Sequence, residues 1–111
     1  MDIPEFHDAQ HGTAVVVTAA LINALKLLNK NPEEIKVIIL GAGAAGTACA
    51  KMIQKLNVSN IISCDRKGAI HSNRSDLNEA KTWFSQNTNP KNETGELSDV
   101  NKGADIILVL S

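Results

Sequence analysis

The stretch GAGAAG, from Gly41 to Gly46, constrains the fold of this chain more than any other feature. Before it stands the apolar, β-branched run IKVIIL (35–40), which is typical of a strand buried on both faces of a parallel sheet. After it, apolar residues recur at helical spacing as far as residue 56. In such a strand–turn–helix unit, phosphate groups meet free backbone N–H groups and the positive end of a helix dipole. The stretch therefore predicts a dinucleotide-binding loop of the G-x-G-x-x-G type.

Each residue of this loop has a predicted task. Gly41 allows the tight turn, Gly43 lets a pyrophosphate approach the backbone, and Gly46 lets the helix pack closely on the strand. Ala44 and Ala45 lie at the start of the helix, where N–H groups face the phosphates. We predict that all five bind the cofactor.

An acidic residue ends the next predicted strand, NIISCD (60–65). Asp65 stands where a carboxylate accepts hydrogen bonds from the adenosine ribose hydroxyls. Its charge would repel a 2′-phosphate and so favours NAD, whereas Arg66 and Lys67 directly after it could accommodate NADP. We predict NAD as the cofactor and keep NADP as the alternative. The two cations either select the cofactor or only decorate the strand end.

The rest of the chain continues the alternation of strands and helices. A long apolar helix is predicted for residues 14–30, with Thr13 as its N-cap, and is ended by Asn31-Pro32. Further helices are predicted near 76–86 and 97–102, and a third strand at 105–110. The pattern indicates an α/β fold with a Rossmann-like parallel sheet, partial, of about three strands with flanking helices.

The predicted sheet is small, and its third strand is the last feature of the chain. Ligands of such folds bind where the strands end, so Ser111 is expected near the ribose–nicotinamide side of the cofactor. We therefore expect residues 1–111 to be a fragment that lacks part of its own site.

Composition excludes several classes of partner. A net charge of −1, from 11 basic and 12 acidic residues, gives no pull toward nucleic acid or membrane surfaces. The two cysteines, Cys49 and Cys64, stand inside apolar segments, as expected of buried thiols in a reducing compartment. The start of the chain is acidic where a signal peptide is basic, and no apolar run reaches the length of about 20 residues that spans a bilayer. We expect a cytoplasmic protein.

Five stretches carry a family resemblance: IPEFHDAQHGTAVVV (3–17), LINALKL (21–27), VIILGAGAAGTACAKMI (37–53), NIISCDRKGAI (60–70) and GADIILVLS (103–111). Together they resemble the NAD-binding domain of the malic enzyme family, in its bacterial type. The resemblance implies oxidation of (S)-malate to pyruvate and CO2 with reduction of NAD or NADP, assisted by Mg2+ or Mn2+ as a Lewis acid. It also implies a homo-oligomer in the full-length form, and it makes residues 1–13 the lead-in to the catalytic and metal site.

One position departs from the family's F-x-D-D pattern. The chain reads Phe6-His7-Asp8-Ala9, so Asp8 matches the aspartate that in the family orients the catalytic lysine. The position of the metal-binding aspartate holds Ala9, and a methyl group cannot coordinate a hard cation that requires oxygen. We predict weak or absent metal binding, with no metal ligand in this chain. We interpret His7 and His11 as loop or helix-start residues, because imidazole suits softer ions than Mg2+.

The resemblance places the remaining catalytic groups outside this sequence. The family's tyrosine, lysine and Glu-Asp pair come before residue 1, and the asparagines that bind malate come largely after Ser111. We therefore expect an enzyme that is active only at full length. The alternative is a non-catalytic dinucleotide-binding module or pseudoenzyme, which Ala9 favours. An amino-acid dehydrogenase is a third possibility, and the stretch FHDAQHGTA argues against it.

Overall fold

The computed structural model describes residues 5–8, 13–41 and 43–110, without the side chains of 5–8, 13–16 and 110. The elements, in chain order, are β1 (Glu5–Asp8), α1 (Thr13–Leu28), a 3-10 turn (Pro32–Glu34), β2 (Lys36–Leu40), α2 (Ala44–Gln54), β3 (Asn60–Asp65), β4 (Gly68–Ala69), α3 (Glu79–Asn87), α4 (Leu97–Val100) and β5 (Ile106–Leu110).

The strands form one sheet in the order β1-β5-β2-β3-β4. The first four are parallel, and the two-residue β4 runs antiparallel to β3. The parallel α/β class is confirmed, and the predicted strands are present as β2, β3 and β5. The structure adds two strands, β1 and β4, to the three that the sequence predicts. β1 has the sequence EFHD, in which no run of apolar residues marks a strand, and it is extended because it pairs with β5.

Both faces of the sheet are covered. Along β2, Val37 and Ile39 join a core cluster with residues of α1, α2 and α3, while Ile38 joins a second cluster with Val100 of α4. Successive side chains of a strand point to opposite faces, so a strand covered on both sides has an uninterrupted apolar sequence. This explains why polar and apolar residues do not alternate in the stretch IKVIIL (35–40).

Several helix boundaries differ from the prediction, and the structure explains two of them. α1 ends at Leu28, because Asn29 adopts a left-handed conformation with φ of 53°, a conformation that terminates helices. The segment predicted as helix to residue 30 is therefore two residues shorter. α3 begins at Glu79, because the side chain of Asn78 accepts a hydrogen bond from the Lys81 backbone N–H at 2.9 Å and caps the helix. No helix in the described ranges is long and apolar enough to cross a membrane.

Candidate dinucleotide-binding site

Those predicted site residues that the structure describes come together at one edge of the sheet. In the parallel register, Asp8 pairs with Leu110, and Leu40 pairs with both Val109 and Cys64. The carboxyl ends of β1, β5, β2 and β3 therefore meet at the same edge. The glycine loop after β2, Asp65 at the end of β3 and the backbone of Asp8 all belong to this edge.

Gly41 makes the turn that the sequence predicts. Its φ of 133° lies in the region that favours glycine. Its N–H donates to the Cys64 carbonyl at 3.3 Å, and its own carbonyl accepts from the Ser63 hydroxyl at 3.0 Å. Two hydrogen bonds thus hold this residue against β3.

Gly46 lies where α2 crosses the end of β2. A Cβ atom at this position would stand 2.8 Å from the Gly41 carbonyl oxygen, a distance that requires the backbone to shift. The close strand–helix contact predicted for Gly46 is therefore present.

Gly43 precedes α2 in a more open setting. Its extended conformation, with φ of −83°, makes it the N-cap of the helix, and its carbonyl accepts the hydrogen bond of the Thr47 N–H at 2.9 Å. A Cβ atom on Gly43 would meet nothing within 4 Å. The space beside Gly43 and the exposed first turn at Ala44 and Ala45 leave room for a ligand at the helix N-terminus.

Asp65 is the centre of an ion-pair network. Arg74 donates to it through two parallel bonds, Nη1 to Oδ1 at 3.0 Å and Nη2 to Oδ2 at 2.8 Å. The Lys81 Nζ donates to Oδ2 at 2.9 Å, and the Lys67 backbone N–H donates to Oδ1 at 2.9 Å. Burial alone would raise the pKa of Asp65, but these hydrogen bonds outweigh it and hold the pKa well below its usual range. The carboxylate is ionised at neutral pH.

Arg66 and Lys67, the two cations that the sequence predicts near the cofactor, have exposed side chains. The Lys67 side chain is 73% exposed, and its Nζ pairs with Asp76 at 3.1 Å. Arg66 is exposed. Both line a cavity of about 330 Å3 that also contacts Asp65, Asp76 and Lys81. Their role in cofactor selection stays a prediction.

Sequence reasoning missed Arg74, Lys81 and Ser63. Arg74 follows Asp65 by nine residues and Lys81 by 16, with a loop between them, so no periodic pattern links them. Ser63 lies within an apolar strand and belongs to no recognised sequence motif. The only sequence signal was a polar residue inside a predicted strand for Ser63, a cation in the loop after that strand for Arg74, and a cation in the next predicted helix for Lys81.

Three predicted positions receive little or no structural description. Ala9 and Ser111 lie outside the described residues, and Asp8 is described only by its backbone in β1. Their predicted roles stay predictions. Among the described residues, no group of three or more His, Cys, Asp or Glu side chains could hold a metal ion.

A parallel α/β sheet with a glycine loop between β2 and α2, and an acid at the end of the neighbouring strand, is the arrangement typical of the dinucleotide-binding class of domains. Comparison with known proteins narrows this class. Residues 10–108 match the family model described as malic enzyme, NAD binding domain. The chain belongs to the malic enzyme family.

The relatives are longer proteins. Over 111 residues the chain is 51% identical to an NAD-dependent malic enzyme of Geobacillus stearothermophilus, covering 100% of this chain and 23% of the relative. It is 45% identical to a bifunctional malic/malolactic enzyme of Bacillus subtilis, covering 99% of this chain and 27% of the relative. The crystal structure of an NAD-dependent malic enzyme from Thermotoga maritima matches with a TM-score of 0.86 and 45% identity, over 100% of this chain and 30% of that one. The chain therefore spans about a quarter of the relatives' length.

Proposed function

We propose that this chain is the dinucleotide-binding part of an enzyme that oxidises (S)-malate and decarboxylates the product to pyruvate and CO2, with reduction of NAD(P). The observation that carries the proposal is the convergence of the glycine loop, Asp65 and the Asp8 backbone at one edge of the sheet, in a chain of the malic enzyme family. In this proposal the loop binds the pyrophosphate and Asp65 orients the adenosine ribose. Asp8 orients the catalytic lysine, as the family resemblance implies.

The network around Asp65 bears on the choice between NAD and NADP. A carboxylate offers about four acceptor positions, and four donated hydrogen bonds already reach Asp65. A ribose hydroxyl must therefore replace one donor. Lys81 is the exchangeable one, because it makes a single bond with a flexible side chain that is 30% exposed, whereas Arg74 makes two bonds and is 10% exposed.

This exchange supports binding of either cofactor. With NAD, the 2′-hydroxyl takes the place of Lys81 on Asp65. With NADP, the displaced ammonium group of Lys81 lies beside the 2′-phosphate, while Arg74 continues to neutralise the carboxylate that would repel it. We therefore propose NAD(P), with Lys81 as the residue that admits NADP.

The metal ion that the family implies has no candidate group of ligands among the described residues. No suitable cluster exists there, and β1 brings one acidic backbone position, Asp8, to the site edge. The next residue in the sequence, Ala9, has no ligand atom. The residues present do not fit a metal site, and we propose that metal binding is weak in the complete protein.

The complete protein that contains this chain tests the function directly. We expect malate-dependent formation of NADH or NADPH together with pyruvate, and no turnover by residues 1–111 alone. Dinucleotide binding without turnover in the complete protein would instead favour the second candidate, a non-catalytic NAD-binding module, which Ala9 at the metal-ligand position supports. Absence of dinucleotide binding in the complete protein would exclude both functions.

A further inference from the structure

Ser63 is a polar residue in the interior of the sheet. It lies in β3 between Ile62 and Cys64, with no solvent exposure. A buried hydroxyl destabilises a fold unless it is hydrogen-bonded. Its Oγ donates to the Gly41 carbonyl at 3.0 Å, so the bond joins the interior of β3 to the first residue of the glycine loop.

The same carbonyl oxygen is also in close contact with α2. Gly46 of α2 packs so closely on the Gly41 oxygen that a Cβ atom there would stand 2.8 Å away. The Gly41 N–H is held separately by the Cys64 carbonyl at 3.3 Å. Gly41 is thus fixed at both of its backbone polar groups, and its oxygen lies within the contact between β3 and α2.

Glycine needs such restraint more than other residues do. It lacks a Cβ atom, so the local chain does not select one backbone conformation, and Gly41 has a φ of 133°. If its peptide rotated, the carbonyl oxygen could turn toward the ligand side of the loop. There it would present a negative dipole end to the pyrophosphate, where N–H groups are needed.

We propose that Ser63 is a positioning residue of the dinucleotide site, whose hydroxyl holds the Gly41 carbonyl within the strand–helix contact and away from the pyrophosphate. The proposal rests on the proposed dinucleotide binding. It assigns Ser63 to the phosphate half of the dinucleotide. Asp65, two residues later in β3, serves the adenosine half.

Binding of ADP, which contains the pyrophosphate, and of adenosine, which lacks it, distinguishes this positioning role from a general structural role. In the complete protein, Ser63→Ala is expected to weaken binding of NAD and of ADP by about fivefold to tenfold, as expected for one lost hydrogen bond. Adenosine, measured by competition with NAD, should bind as before. The matched control is Ser85→Ala, which removes a hydroxyl that donates to the Thr82 carbonyl at 2.7 Å in α3, and it should change none of these affinities.

The possible results distinguish failure of the proposed Ser63 role from failure of the proposed dinucleotide binding. If Ser63→Ala weakens ADP and adenosine binding equally, Ser63 acts through the position of Asp65. If ADP binding is unchanged, the glycine loop does not depend on Ser63. Either result overturns the proposal. If Ser63→Ala does not fold, Ser63→Cys takes its place, because a thiol is a weaker donor, and unchanged ADP affinity in that variant also overturns it. A wild-type protein that binds neither NAD nor ADP contradicts the proposed function itself.

Discussion

Arg74 binds Asp65 through two parallel hydrogen bonds, of 3.0 Å between Nη1 and Oδ1 and 2.8 Å between Nη2 and Oδ2. Both side chains are nearly buried, with 10% and 12% exposure. The arginine therefore fixes the rotamer of the carboxylate that we assign to the adenosine ribose. It also neutralises a charge that would otherwise repel a 2′-phosphate.

The first prediction concerns the stability that this pair contributes. Arg74→Met should lower the free energy of unfolding at neutral pH by about 2 kcal/mol, because the nearly buried Asp65 carboxylate loses the bidentate one of its two cationic partners and keeps only Lys81. Because the folded-state pKa of Asp65 is depressed, the contribution is fully present above the unfolded-state pKa and is lost as pH falls through the folded-state value. The difference between variant and wild type should therefore shrink below about pH 4.

Urea unfolding across a pH series measures this effect. Arg66→Met is the matched control, since Arg66 is an exposed arginine directly after β3, and it should change stability little. A loss in Arg74→Met that stays constant at all pH values would show that Arg74 acts through packing instead of charge.

The second prediction compares two glycines of the loop. Gly46→Ala should destabilise the fold by about 1–3 kcal/mol, since its Cβ would press on the Gly41 carbonyl at 2.8 Å. Gly43→Ala should leave stability nearly unchanged, because nothing lies within 4 Å of its Cβ, but it should weaken NAD binding if the pyrophosphate occupies that space. Thermal unfolding and NAD titration of both variants check this. Wild-type NAD affinity in Gly43→Ala would contradict the assignment.

The third prediction concerns cofactor selection by Lys81. Lys81→Met should weaken NADP binding by about tenfold while NAD binding stays the same or improves, since the variant loses the cation beside the 2′-phosphate and one competitor for Asp65. The measurement is the ratio of the two dissociation constants. Lys55→Met, at an exposed position after α2, is the control. An unchanged ratio would remove Lys81 from cofactor selection.

The fourth prediction concerns the metal. In the complete protein, Ala9→Asp should strengthen Mn2+ binding by at least about tenfold, because it supplies an oxygen ligand at the position where the family has one. Calorimetric titration of Mn2+ measures the change. Ala9→Asn, which offers a neutral oxygen, is a graded control. Equally tight Mn2+ binding by the wild type and by Ala9→Asp would refute the prediction that the wild type binds the metal weakly.

The fifth prediction concerns the outer surface of α1. Leu27 is 87% exposed and Ile22 is 39% exposed, so α1 exposes two large apolar side chains to another molecule or segment. Residues 1–111 in isolation should self-associate, and Leu27→Gln should reduce the effect, whereas Lys26→Gln should not. Sedimentation velocity gives the answer. A monodisperse wild-type monomer would count against this role of α1.

Local sequence was sufficient for the centre of this fold. β2, the glycine loop and α2 are contiguous, and their apolar periods and glycine positions predict each element without knowledge of the rest. The place of Asp65 also followed, because parallel strands bring their carboxyl ends to one edge and Asp65 ends the second strand. The mostly polar strand β1 could not be predicted in this way, since only its pairing with β5, about one hundred residues later, makes it extended.

The amino-acid sequence by itself determined the class of the protein and the loop that meets the phosphates, because those features depend on neighbours along the chain. Tertiary structure decided how the site is held. Arg74 and Lys81 reach Asp65 from beyond a loop, and Ser63 reaches Gly41 from the adjacent strand. These contacts depend on the packing of β3, α2 and α3 against one another. The periodicity of a single segment contains no information about the distance between two side chains from different segments.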